Sequence, residues 1–160
     1  MLASCYLAIP QVKAGWEYSY ADSVEWTDEY GEHAWVTSPE HVLGELDGEV
    51  GWCEAREDYV QECVARICVK MNHMTSGYVD VYGGARDTWQ DCDVYCYVSY
   101  DGEDWELAGF HEYPMLGEFG AWYPVGFYSG NYWYVIIAVV GDNYVLSQFG
   151  MDIIRGYWYS

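Results

Sequence analysis

The chain has 160 residues, 52% apolar and 19% aromatic, with 6 Lys and Arg against 26 Asp and Glu and a formal net charge of −20. That length supports one domain with a full core. The charge excludes nucleic-acid phosphate and anionic membrane surfaces as partners, and it favours cations, of which calcium is the one suited to carboxylates and backbone carbonyls.

Abundant Tyr, Trp and Val with few Lys and Arg predict an all-β chain, since these side chains fit a pleated, half-buried surface. Residues 1–15 form a mostly apolar arm whose one charge is Lys13 and whose Pro10 argues against a central strand. Residues 16–26 alternate aromatic and small side chains and predict a first strand. Residues 27–48, punctuated by Gly31, Pro39, Gly44 and Gly48, predict a loop. Seven carboxylates against Arg56 make 45–62 a solvated acidic face.

A strand follows over 59–71, with Ala65, Ile67, Val69 and Met71 on one face and Arg66, Cys68 and Lys70 on the other. Residues 78–82 predict a short strand. Over 92–100, Cys92, Val94, Cys96, Val98 and Tyr100 share one face, and Asp93, Tyr95, Tyr97 and Ser99 share the other. Asp101-Gly102 predicts a hairpin turn, with a return strand from Trp105. Residues 113–130, with two prolines and several glycines, predict a loop carrying Trp122, Tyr123, Phe127 and Tyr128. The apolar run 132–140 predicts a strand packed on both faces; it is about half the ~20 residues a membrane helix needs. Strands over 144–148 and 151–157 close the chain.

Six cysteines, Cys5, Cys53, Cys63, Cys68, Cys92 and Cys96, make disulfides and an oxidising compartment the expectation, since no Cys-x-x-Cys or grouped histidine suggests zinc. Their pairing stays open, except that Cys92 and Cys96 cannot join each other on a regular strand. Four residues span roughly 13 Å there, and disulfide Cα atoms need less than about 7 Å. No nucleophile elbow, phosphate loop or dinucleotide fingerprint is present, and no carboxylate pair has a defined separation, so an enzyme is not expected.

Four segments, taken in order, are Tyr20-Ala21-Asp22-Ser23-Val24, Ser38 to Gly48, Ser99 to Trp105, and Phe149-Gly150-Met151-Asp152-Ile153. Together they resemble the discoidin-like, galactose-binding-like domain family over roughly 20–157. The resemblance implies a jelly-roll-type antiparallel β-sandwich over 16–160, with residues 1–15 as an N-terminal extension. It implies an extracellular or cell-surface setting, a structural calcium on Asp47 with Asp22, and Trp105 in the core. Relatives that bind glycans use Arg, His, Asn and an exposed aromatic on loops at one end of the sandwich.

Two functions are consistent with this reading. One is a non-catalytic subunit that self-associates into a surface layer or fibre, its arm adding a strand to a neighbour and calcium bridging acidic subunits. The alternative is a monomeric carbohydrate-binding or adhesion module. Tyr6, Trp16, Trp122, Tyr123 and Trp158 are the candidate interface or ligand aromatics.

Overall fold

A computed structural model describes residues 15–43, 46–56, 62–74, 76–86, 92–113, 120–141 and 146–160. Among the described residues are the strands β1 (Trp16–Tyr30), β2 (Ala34–Thr37), β3 (Gly51–Arg56), β4 (Val64–Met74), β5 (Gly77–Arg86), β6 (Cys92–Ser99), β7 (Glu106–Tyr113), β8 (Ala121–Tyr128), β9 (Tyr132–Val140) and β10 (Leu146–Tyr159). Among the described residues the one helical element is a 3₁₀ turn, Pro39–Val42. The pairings among the described strands are antiparallel. The expected all-β sandwich is what the chain forms.

One sheet runs β1–β4–β9–β6–β7. In the other, β10 is central, with β5 and then β8 on one side. On its other side β10 pairs with β3, itself paired to β2, and further along with the start of β1. β1 therefore serves both sheets. Trp16 to Tyr20 pair with β10 and Ala21 to Tyr30 pair with β4, the crossing marked by bulges at Ala21/Ser23 and Val24/Trp26. Bulges bend and twist a strand, which lets one chain leave one sheet for the other.

The core lies between the sheets. Ile67, Val69, Met71, Val94, Val98, Val135, Ile137 and Val139 enter from the first sheet, and Val79, Val81, Phe149, Met151 and Ile154 from the second. Each set alternates along its strands, the period-two pattern of a sheet buried on one face. β9 is also covered outside: Ile136 and Ala138 are buried with Cys68 in a separate cluster. This meets the expectation for the continuous apolar run.

The register departs from simple alternation at a bulge between Met151 and Ile153. Phe149 and Met151 point inward before it, and Ile154 points inward after it. The extra residue shifts the phase, so Arg155, Tyr157 and Tyr159 face outward and Trp158 packs against the core. The two closing strands expected from sequence are thus one bulged strand. The bulge residue Asp152 is buried, and its carboxylate accepts the Gly48 N–H at 3.1 Å and the Asp47 N–H at 3.5 Å.

Residues 121–128 are strand, because β8 lies at a sheet edge, where Pro124 and a register shift are tolerated. Residues 27–48 contain the end of β1, β2 and the 3₁₀ turn. Cys53, Cys68, Cys92 and Cys96 are free thiols and not the expected disulfides. They behave as small apolar side chains on buried strand faces, and burial pushes the Cys68 and Cys92 thiols up to about 12 and those of Cys53 and Cys96 higher still. Cys63 is buried as well; Cys5 and Tyr6 lie outside the described residues.

Candidate functional site

The outer face of β1–β4–β9–β6 is built from three rows of side chains set by strand register. One row runs Trp26, Cys68, Ile136, Tyr97; the next Asp28, Arg66, Ala138, Tyr95; the third Tyr30, Val64, Val140, Asp93. Small or branched side chains on the two central strands make a floor. Trp26 and Tyr30 on β1 and Tyr95 and Tyr97 on β6 rise at the sides. The result is an open groove of about 700 Å³, within the range that holds a small ligand, roughly 300–1,000 Å³.

Trp105, just beyond the Asp101-Gly102 turn, closes over one end. Its ring meets the Trp26 ring at 6.3 Å and near right angles, and it packs on Ile136, Ala138 and Cys68. The turn that aims it is tightly made. The Asp101 carboxylate accepts the Glu103 N–H at 2.9 Å and the Asp104 N–H at 3.0 Å, and the Ser99 hydroxyl accepts the Gly102 N–H. Those N–H bonds, with the Ser99 hydroxyl, hold the Asp101 carboxyl below the usual carboxylate range. The hairpin expected from sequence is present, but Trp105 belongs to the outer groove and not to the core. Side chains from the central strands leave a hollow there for it to cover.

Polar groups are few, and one of them, Arg66, rises from the central strand β4. Arg66 pairs with Asp28, and its Nε is buried without a hydrogen-bond partner among the described residues. Glu62 stands at the rim. Tyr95 and Tyr97 lie nearly parallel with centroids 6.3 Å apart, and Tyr95 leans on Phe110 of β7 at 4.6 Å. Desolvation, then the Asp93, Tyr97, Glu62 and Glu112 side chains, raise the Tyr95 hydroxyl above its ordinary value. It stays protonated and can donate near neutral pH. Ring faces beside a few donors and acceptors suit a ligand that is apolar on its faces and hydroxylated at its edges.

The residues singled out from sequence lie elsewhere. Asp22 is exposed on β1. Asp47 gathers with His41 and Glu49, not with Asp22. There, His41 Nδ1 lies 2.9 Å from a Glu49 carboxylate oxygen, and Asp47 Oδ1 accepts the Glu49 N–H at 2.8 Å. Both are engaged in bracing the loop. Trp16 and Trp122 lie on the outer face of the other sheet. Tyr123 and Trp158 pack against the core. Sequence reasoning missed Trp26 and Trp105. The signal available was the outward pair Tyr95 and Tyr97, an unusual choice for the polar side of a strand.

No family model matches the chain, and no curated protein matches it. Among solved structures, a pectin-binding carbohydrate-binding module superposes with a TM-score of 0.51 at 10% identity, covering 82% of this chain and 88% of that one. Truncated AlyQ, with CBM32 and alginate lyase domains, gives 0.55 at 11% identity, covering 90% of this chain and 34% of that one. The CBM32-3 module of a family 31 glycoside hydrolase from Clostridium perfringens gives 0.50 at 13% identity, covering 87% and 90%. The chain thus has the discoidin-like, galactose-binding-like β-sandwich fold of CBM32 carbohydrate-binding modules.

Proposed function

We propose that this chain is a non-catalytic carbohydrate-binding module whose ligand lies in the groove over β1, β4, β9 and β6. The observation that carries the reading is the register-built pairing of aromatic walls with an apolar floor, Trp26 and Trp105 at one end and Tyr95 and Tyr97 along a side. A pyranose ring offers C–H faces to such rings and hydroxyls to Tyr95, Arg66 and Glu62. The likeness in fold to carbohydrate-binding modules supports the class of ligand. The position, on a sheet face, differs from the end loops that the family resemblance suggested.

Charge narrows the ligand. Arg66 is matched by Asp28, Glu62 adds a negative charge, and the chain carries −20. Such a groove disfavours polyuronates and suits uncharged glycans. Screening on a glycan array, then affinity electrophoresis in the polysaccharide that scores, tests this. Retardation of the native chain and its loss in Trp105→Ala support the reading; binding undisturbed by that change, or no binding to any glycan, overturns it. Self-association by strand addition rests on the arm of residues 1–15, of which 1–14 lie outside the described residues.

A further inference from the structure

The second sheet carries another aromatic face, pointing away from the groove. Four rings line up across four strands: Tyr18 on β1, Tyr157 on β10, Tyr78 on β5 and Phe127 on β8, each opposite the next in register. Successive centroids are 6.3, 5.3 and 4.9 Å apart, close to the roughly 4.8 Å strand spacing that sets them. Trp16 and Tyr159 extend the row sideways, 5.4 Å from each other. Tyr18, Tyr78 and Phe127 are 43–49% exposed, and Trp16 and Tyr159 are 54% and 64% exposed.

Beside the row lies one ion pair. Arg155 donates to both Asp80 carboxylate oxygens, at 2.8 and 2.9 Å, with its guanidinium 3.4 Å from the Trp122 ring centroid. The two charges offset each other, so this pair leaves no net charge beside the rings, on a chain of −20. A polyanion finds nothing to bind there, and a second copy of the chain brings its own −20. The partner that fits is linear, uncharged and apolar on its faces.

We propose that this ring row is a second glycan-binding surface, taking an uncharged linear polysaccharide across the strands of β1, β10, β5 and β8. The sandwich then has ligand faces on both sheets and bridges separate polysaccharide chains. The bridging rests on the groove reading above; the ring row does not.

The test titrates the full chain with cellohexaose, mannohexaose and β-1,4-galactohexaose, the uncharged linear probes, by calorimetry. The expected result is two ligands per chain for at least one probe. Tyr78→Ala and Phe127→Ala, both at exposed positions, each remove one site and leave the Trp105→Ala-sensitive site intact. The native chain raises the viscosity of a matching polysaccharide solution, and each single-site variant does not. One ligand per chain, lost in Tyr78→Ala and kept in Trp105→Ala, leaves the ring row standing and overturns the groove reading. One ligand per chain, lost in Trp105→Ala and kept in Tyr78→Ala, overturns the second surface. So does a dimer in sedimentation that Tyr78→Ala dissociates, which would make a second copy the occupant. Failure of all three probes overturns both surfaces.

Discussion

Trp105→Ala separates binding from folding most sharply. Trp105 is partly buried, packed on Ile136, Ala138 and Cys68 with its edge toward Trp26. Of the roughly 200 Å² a tryptophan can bury, about 60 Å² is left to a ligand, worth ~1.5 kcal/mol at about 25 cal/mol per Å². That is about a tenfold rise in Kd. The part already buried contributes about 3.5 kcal/mol to the fold by the same measure, a fall of ~10 °C in Tm for a chain of this size. Calorimetry below the lowered Tm reads the first effect and thermal unfolding the second. A tenfold weaker Kd with native far-UV circular dichroism is expected. An unchanged Kd alongside the expected fall in Tm would refute the groove as the binding site, leaving Trp105 a cover for apolar floor.

Other consequences can be measured alongside. Arg155→Met strands the buried Asp80 carboxylate, whose pKa burial already raises, and should cost about 3 kcal/mol, the low end for breaking a buried pair; a loss under ~1 kcal/mol would show the pair to be solvated. Asp152→Ala leaves the Asp47 and Gly48 N–H groups without their acceptor and should cost about 2 kcal/mol by urea denaturation; no loss would mean water replaces the carboxylate. The Asp101 carboxyl is held below its ordinary 3.8, so the turn is braced above that pH and loses its brace as pH falls through the lower folded-state value. Glu103 and Asp104 amide shifts should therefore titrate below pH 3.8, and a midpoint at or above it contradicts the hydrogen bonding. Native protein should leave Cys53, Cys68, Cys92 and Cys96 unmodified by maleimide, with Cys68 reacting first in Trp105→Ala; a mapped disulfide at any of the four contradicts the free thiols.

Much of the frame was legible because it depends on local pattern. The run Tyr132–Val140 reads as a doubly packed strand and is one. The Ser99 to Trp105 hairpin follows from Asp101-Gly102, where Gly102 supplies the positive φ of 85°. The two outer faces were legible only in part: Arg66 and Cys68 on β4 and Tyr95 and Tyr97 on β6 follow from alternation, while bulges decide β1 and β10. Val24 packs inward, and strict alternation would send Trp26 inward too; the bulge between them turns Trp26 out into the groove. The bulge at Met151/Ile153 does the same for Arg155, Tyr157 and Tyr159. A period-two reading carries no signal for an extra residue. Register across distant strands was equally hidden: Trp26, Cys68, Ile136 and Tyr97 form one row although they come from four separate segments. The cysteine count misled for a chemical reason, since a buried free thiol and half a disulfide look alike in sequence.

A glycan in the groove on the outer face of β1, β4, β9 and β6 is tested most directly by an amide and indole NMR titration with the best-binding glycan. Shifts are expected to concentrate at Trp26, Arg66, Tyr95, Tyr97, Trp105 and Ala138. Shifts confined to loops at the ends of the sandwich, with those six unmoved at saturation, would contradict it.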